Sequence, residues 1–113
     1  MAETFRSDGK AVDVTVNKTV TKGDVVYQDG FAGIAMQDAV SGETIALEIA
    51  TREHEINVGN ITANKGDILY ITAATGALTA SSGSGKAPFC KVTVAKDAND
   101  IAWVVLLPQG VVA

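Results

Sequence analysis

The sequence predicts an all-β protein: a small β-sandwich or partly closed β-barrel built from two related β units, with an extended N-terminal arm. Three observations carry this reading. Short apolar runs alternate with polar residues and recur about every 8–12 residues between Gly, Asn, Asp and Ser turns. No stretch shows the 3.6-residue periodicity of a helix. Two pieces of sequence also repeat. Lys22-Gly23-Asp24-Val25-Val26-Tyr27 returns 43 residues later as Lys65-Gly66-Asp67-Ile68-Leu69-Tyr70. Phe31 to Met36 then aligns with Phe89 to Val94 at an offset of 58, which continues to pair Ile45, Leu47 and Ile49 with Trp103, Val105 and Leu107. The wider offset marks Ile71 to Pro88 as a hairpin inserted in the second unit.

Taken in order, residues 1–10 are polar with a single aromatic, Phe5, and read as an arm; residues 11–113 read as one β domain. Val12, Val14 and Val16 alternate with Asp13, Thr15 and Asn17 as a half-buried strand. The first Lys-Gly-Asp turn feeds a strand over Val25 to Tyr27, and Gln28-Asp29-Gly30 turns it into Phe31 to Met36. Ile45, Leu47 and Ile49 alternate in the next strand. Thr51 to Val58 is the most polar candidate, with His54, Ile56 and Val58 on one face and Glu53, Glu55 and Asn57 on the other.

The second Lys-Gly-Asp turn leads into Asp67 to Thr72, and a hairpin turn at Gly76 leads to Ala77–Ala80. Ser81 to Lys86 has the composition of a flexible loop. Phe89 to Ala95 is a strand. Ile101 to Leu107 is apolar throughout, either a central strand covered on both faces or a strand with one face in a subunit interface.

Composition narrows the function. The chain has 113 residues, enough for a core without staples, and a net charge of −4 with nine scattered basic residues. That balance gives no electrostatic footprint for nucleic acid. No apolar run approaches the ~18 residues of a membrane span, and the start of the chain has no apolar signal segment. A lone cysteine, Cys90, excludes an internal disulfide.

Nothing in the sequence assembles a catalytic or metal centre. Gly83-Ser84-Gly85-Lys86 departs from a phosphate loop at both ends, with Ala80 in place of the first glycine and Ala87 in place of the magnesium-binding hydroxyl. Glu53, His54 and Glu55 sit together, yet strand alternation turns His54 away from its neighbours. Cys90 lacks a declared base, and Asp24 and Asp67 suit turn capping. No cofactor, metal or catalysis is expected. Two glycosylation sequons, at Asn17 and Asn60, have no meaning without secretion.

The order of motifs has a parallel. Gly23-Asp24, Phe31 to Ala35, Asp38 to Thr44, Lys65 to Tyr70, Thr75 to Thr79 and the apolar strand Ile101 to Leu107 together resemble the tailed-phage capsid cement (decoration) proteins, across roughly Val12 to Leu107. Members also carry recombinase labels, which the missing phosphate loop does not support here. The resemblance implies an all-β structural protein of the virion, made in the host cytoplasm. It would clamp the outer surface of the major capsid protein shell as a homo-oligomer, a trimer being favoured and a dimer possible. Thr4, Phe5 and Arg6 of the arm are the expected capsid contacts. His54, Ile56, Trp103 and Val105 are the expected self-association residues. The alternative class is a carbohydrate- or receptor-binding β module, against which the shortage of aromatic platforms counts.

Overall fold

The computed structural model describes residues 9–113, which form two antiparallel sheets and no helix. In chain order the strands are β1 (Ala11–Thr15), β2 (Val25–Gln28), β3 (Phe31–Ala35), β4 (Thr44–Glu48), β5 (Glu53–Asn57), β6 (Ile68–Thr72), β7 (Leu78–Thr79), β8 (Lys86–Val94) and β9 (Ile101–Leu106). The first sheet runs β1-β4-β3-β2 and the second β5-β9-β8-β6-β7. Replacing β1, β2, β3 and β4 by β5, β6, β8 and β9 converts one order into the other, with β7 added at the edge. The all-β class and the two related units are therefore both present. The arm residues before Gly9 lie outside the described residues.

The repeat extends to individual hydrogen bonds. Gly23 N–H donates to Ala35 O at 2.8 Å and Gly66 N–H to Val92 O at 2.8 Å. Ala35 N–H returns a bond to Asp24 O, as Val92 N–H does to Asp67 O. Val16 N–H reaches Glu43 O, and Val58 N–H reaches Asp100 O. Gly23 and Gly66 take φ of +94° and +92°, a left-handed conformation that a side chain disfavours, which explains the repeated glycine. The aspartates cap these turns: Asp24 Oδ2 accepts from Thr21 N–H and Asp67 Oδ2 from Asn64 N–H, each at 2.9 Å.

These pairs correct the expected alignment by one residue. Ala35 matches Val92, and the pairings Val14–Ile45 and Ile56–Ala102 are equivalent, so the offset over β3 and β4 is 57 rather than 58. Ile45 and Leu47 correspond to Ala102 and Val104, all four buried, and not to Trp103 and Val105. Side chains alternate with period two, so a slip of one residue exchanges inner and outer faces. The two phenylalanines that suggested 58 are not equivalent. Phe89 is the extra residue where β8 shifts register against β6, between Leu69 and Tyr70.

Two apolar clusters result. Val14, Val16, Val26, Ala35, Ile45 and Leu47 fill the first unit. Ile56, Val58, Leu69, Ile71, Val92, Val104 and Leu106 fill the second, joined by Ala32 and Ile34 from the first. Strand β3 thus lies between both cores, one face to each. Its Gly33 has no room for a side chain: a Cβ would lie 2.3 Å from Glu48 O and 2.9 Å from Leu47 Cγ.

Strand β8 begins at Lys86, earlier than the sequence suggests, and includes Pro88. Proline lacks a ladder donor. It is tolerated because β9 reaches only as far as Cys90 opposite Leu106, leaving that side of Pro88 without a partner strand.

Candidate interaction surfaces

Strand β9 alternates strictly. Ala102, Val104 and Leu106 point into the core, which leaves Trp103 and Val105 on the outer face of the second sheet. Trp103 stands opposite Glu55 on β5 and opposite Val94 on β8. Val105 stands between Glu53 and Lys91, and Lys91 is paired in turn with Ile68. Trp103, Val94 and Ile68 are 42%, 46% and 40% exposed, so an apolar centre is bordered by carboxylates on one side and an ammonium within it. Thr93 Oγ1 donates to Glu53 Oε2 and anchors that border. Large aromatic and aliphatic side chains ringed by polar groups are the usual chemistry of a protein-binding surface.

The repeat explains why this face is open. Its counterpart in the first unit, around Val25 and Ile34, rests on the core of the second unit. In the second unit the matching positions are Ile68 and Lys91, and no element among the described residues covers them. Of the two readings offered for Ile101 to Leu107, a strand covered on both faces is ruled out for the chain on its own.

The other two expected self-association residues face inward. Ile56 is 3% exposed within the core, so it has no surface to offer a partner. His54 is half-buried, its Nε2 2.9 Å from Glu48 Oε2, and Arg52 approaches the same carboxylate at 3.4 Å. Both side chains point away from Trp103, because they occupy the opposite phase of β5. Ile56 and His54 therefore lie away from the outer face that carries Trp103 and Val105. Val94 and Ile68 share that face. Their signal in the sequence was alternation, obscured by the register shift of β8 between Val92 and Val94. Thr4, Phe5 and Arg6 lie outside the described residues.

Among the described residues no group of three His, Cys, Asp or Glu side chains could hold a metal ion. Burial pushes the Cys90 thiol up to about 12, so it carries almost no thiolate near neutral pH. Lys86 lies in β8 rather than at the start of a helix, and its carbonyl accepts Ala113 N–H at 3.0 Å. Gly83 to Gly85 form the turn that leads into this strand, so the Gly-Ser-Gly-Lys segment precedes a strand and not a helix.

A two-unit β fold with an open apolar sheet face has the form of a structural binding protein. The chain belongs to the phage cement protein family, whose model matches residues 6–108 and so covers both units. It is accordingly a structural protein of the phage virion, placed with the capsid. No curated protein matches it.

Proposed function

We propose that the protein binds the outer surface of the major capsid protein shell, after synthesis in the host cytoplasm, and stabilises the assembled shell. The family match across both units carries this reading. The physical principle is linkage: a protein that binds the assembled shell and not its free subunits lowers the free energy of the assembled state alone. The arm, through Thr4, Phe5 and Arg6, supplies the capsid contact. An extended segment can add itself as a strand to a sheet edge, using main-chain hydrogen bonds with little demand on sequence.

Self-association through Trp103, Val105, Val94 and Ile68 assembles several arms into one unit, a trimer in preference to a dimer. Multivalency then turns individually weak arm contacts into stable attachment. The open face supports this reading, since its counterpart in the first unit is buried. No catalysis and no cofactor enters the proposal.

The experiment is to mix purified protein with expanded, undecorated capsids, sediment them, and heat the washed particles. Co-sedimentation with a raised disruption temperature is expected. Protein that stays in the supernatant, or binds without changing the disruption temperature, would defeat the cement reading.

A further inference from the structure

The outer face of the second sheet carries two opposite charges that the chain itself does not pair. Glu55 stands on β5, opposite Trp103, and Lys91 stands on β8, opposite Val105. Both are exposed, and neither has an ion-pair partner among the described residues. Strand β9 runs between them. We propose that copies of this chain associate about an axis parallel to these strands, so that Glu55 of each copy pairs with Lys91 of the next. This arrangement rests on the self-association reading above and adds to it the direction of the axis and the charges that select it.

The repeat shows what a cover for this face must supply. In the first unit Val25 and Ile34 hold the matching positions, and both pack on the core of the second unit. In the second unit Ile68 keeps the first position apolar, while Lys91 takes the second. A surface laid on this face therefore needs apolar groups against Trp103, Val105, Val94 and Ile68, and a carboxylate against Lys91. Covering that ammonium without a carboxylate would leave an uncompensated charge, which is strongly unfavourable. A second copy of the same face offers both, since its β5 margin carries Glu53 and Glu55.

Only one direction of the axis brings those groups together. Rotation about an axis parallel to the strands carries the β5 margin of one copy to the β8 side of the next, and keeps positions along the strands level. Glu55 then faces Lys91, displaced from it by two residues of β9, roughly 7 Å along the strand, which the two long side chains span. An axis running across the strands instead keeps every β5 margin at the same end. It would set Glu53 and Glu55 of one copy against those of another, and like charges so placed oppose association. An axis normal to the sheet would join edges and leave this face open. Glu53 is held within its own chain, its Oε2 accepting from Thr93 Oγ1, which leaves Glu55 as the carboxylate available to a neighbour.

The test is sedimentation velocity across a concentration series. The samples are wild type, Glu55→Lys, Lys91→Glu, the double variant, and an equimolar mixture of the two single variants. Each single variant should associate about tenfold more weakly than wild type or worse, and the double variant should return to within about threefold. The mixture should associate more tightly than either single variant alone, because opposite charges meet again wherever unlike chains adjoin. Melting temperatures should stay near wild type, since both side chains are exposed. A double variant no tighter than the singles would overturn the proposal. So would recovery in the double variant that the mixture fails to show, which would place the pairing inside one chain. Trp103→Ala separates this arrangement from the reading it rests on. Weakened association in that variant, without coupling between Glu55 and Lys91, would keep the face and remove the axis. A wild-type chain that stays monomeric at every concentration would remove both.

Discussion

The side chain of Gln109 completes the hydrogen bonding of Ala32: its amide nitrogen donates to Ala32 O at 2.8 Å, and its oxygen accepts from Ala32 N–H at 2.9 Å. This is the place a neighbouring strand would occupy. Strand β4 pairs with β3 only at Ile34 and Ala35 before the chain departs toward the second unit. The glutamine amide, with one donor and one acceptor side by side, stands in for the missing backbone. It also ties the segment after β9 to the first unit.

Gln109→Ala should therefore destabilise the fold by about 1–3 kcal/mol, since it strands two partly buried backbone groups. Gln109→Glu should not rescue it, because the carboxylate cannot donate to Ala32 O. Urea unfolding checks both, and a wild-type midpoint in either variant would contradict the bonding described.

Glycine positions should divide by mechanism. Gly23→Ala and Gly66→Ala meet no steric neighbour but require positive φ, so each should cost about 1–2 kcal/mol, and the two costs should be similar. Gly33→Ala would place its methyl on Glu48 O and should cost more, about 3 kcal/mol or above, by forcing β3 and β4 apart. Thermal melts of the three variants measure the order.

Cys90 makes a chemical prediction. In the folded chain its thiol is raised to about 12 from an ordinary 9.0, the cause being desolvation by burial. Iodoacetamide at pH 8 should leave the native protein unmodified and label it in denaturant. Between pH 9 and 12 the unfolded chain releases this proton and the folded chain retains it, so stability from this group is full below 9 and falls as pH rises. Cys90→Ala should flatten that part of the stability profile.

Trp103 tests the outer face. Trp103→Ala should leave the melting temperature of the isolated chain nearly unchanged while weakening self-association about 30-fold or more, the range of an aromatic interface anchor. Analytical ultracentrifugation across a concentration series gives the shift. An unaltered association constant would move the interface away from Trp103, Val94 and Val105.

The arm should separate attachment from stability. Deleting residues 2–8 keeps Lys10, whose carbonyl accepts Ile49 N–H at 3.0 Å, so the β fold should survive. Occupancy on expanded capsids should fall to background. Full occupancy by the truncated protein would place the capsid contact on the β fold itself.

Local pattern determined much of this protein before any coordinates. The alternation of Val12, Val14 and Val16, and of His54, Ile56 and Val58, is a period-two signal that backbone geometry imposes on any half-buried strand. The two Lys-Gly-Asp turns were legible because positive φ demands glycine and the cap demands aspartate, requirements that act within three or four residues. The outward direction of Trp103 was not legible. Ile101 to Leu107 is apolar at every position, so the pattern carries no phase, and register came from pairing with β5 and β8. Phe89 misled the alignment because a register shift in β8 depends on what β6 presents, 20 residues away in sequence. Tertiary structure alone decided that the first unit covers the core of the second through Ile34 while the matching Lys91 stays in solvent. Which of two equivalent faces is buried follows from how the units stack, and stacking is a long-range choice that no local propensity records.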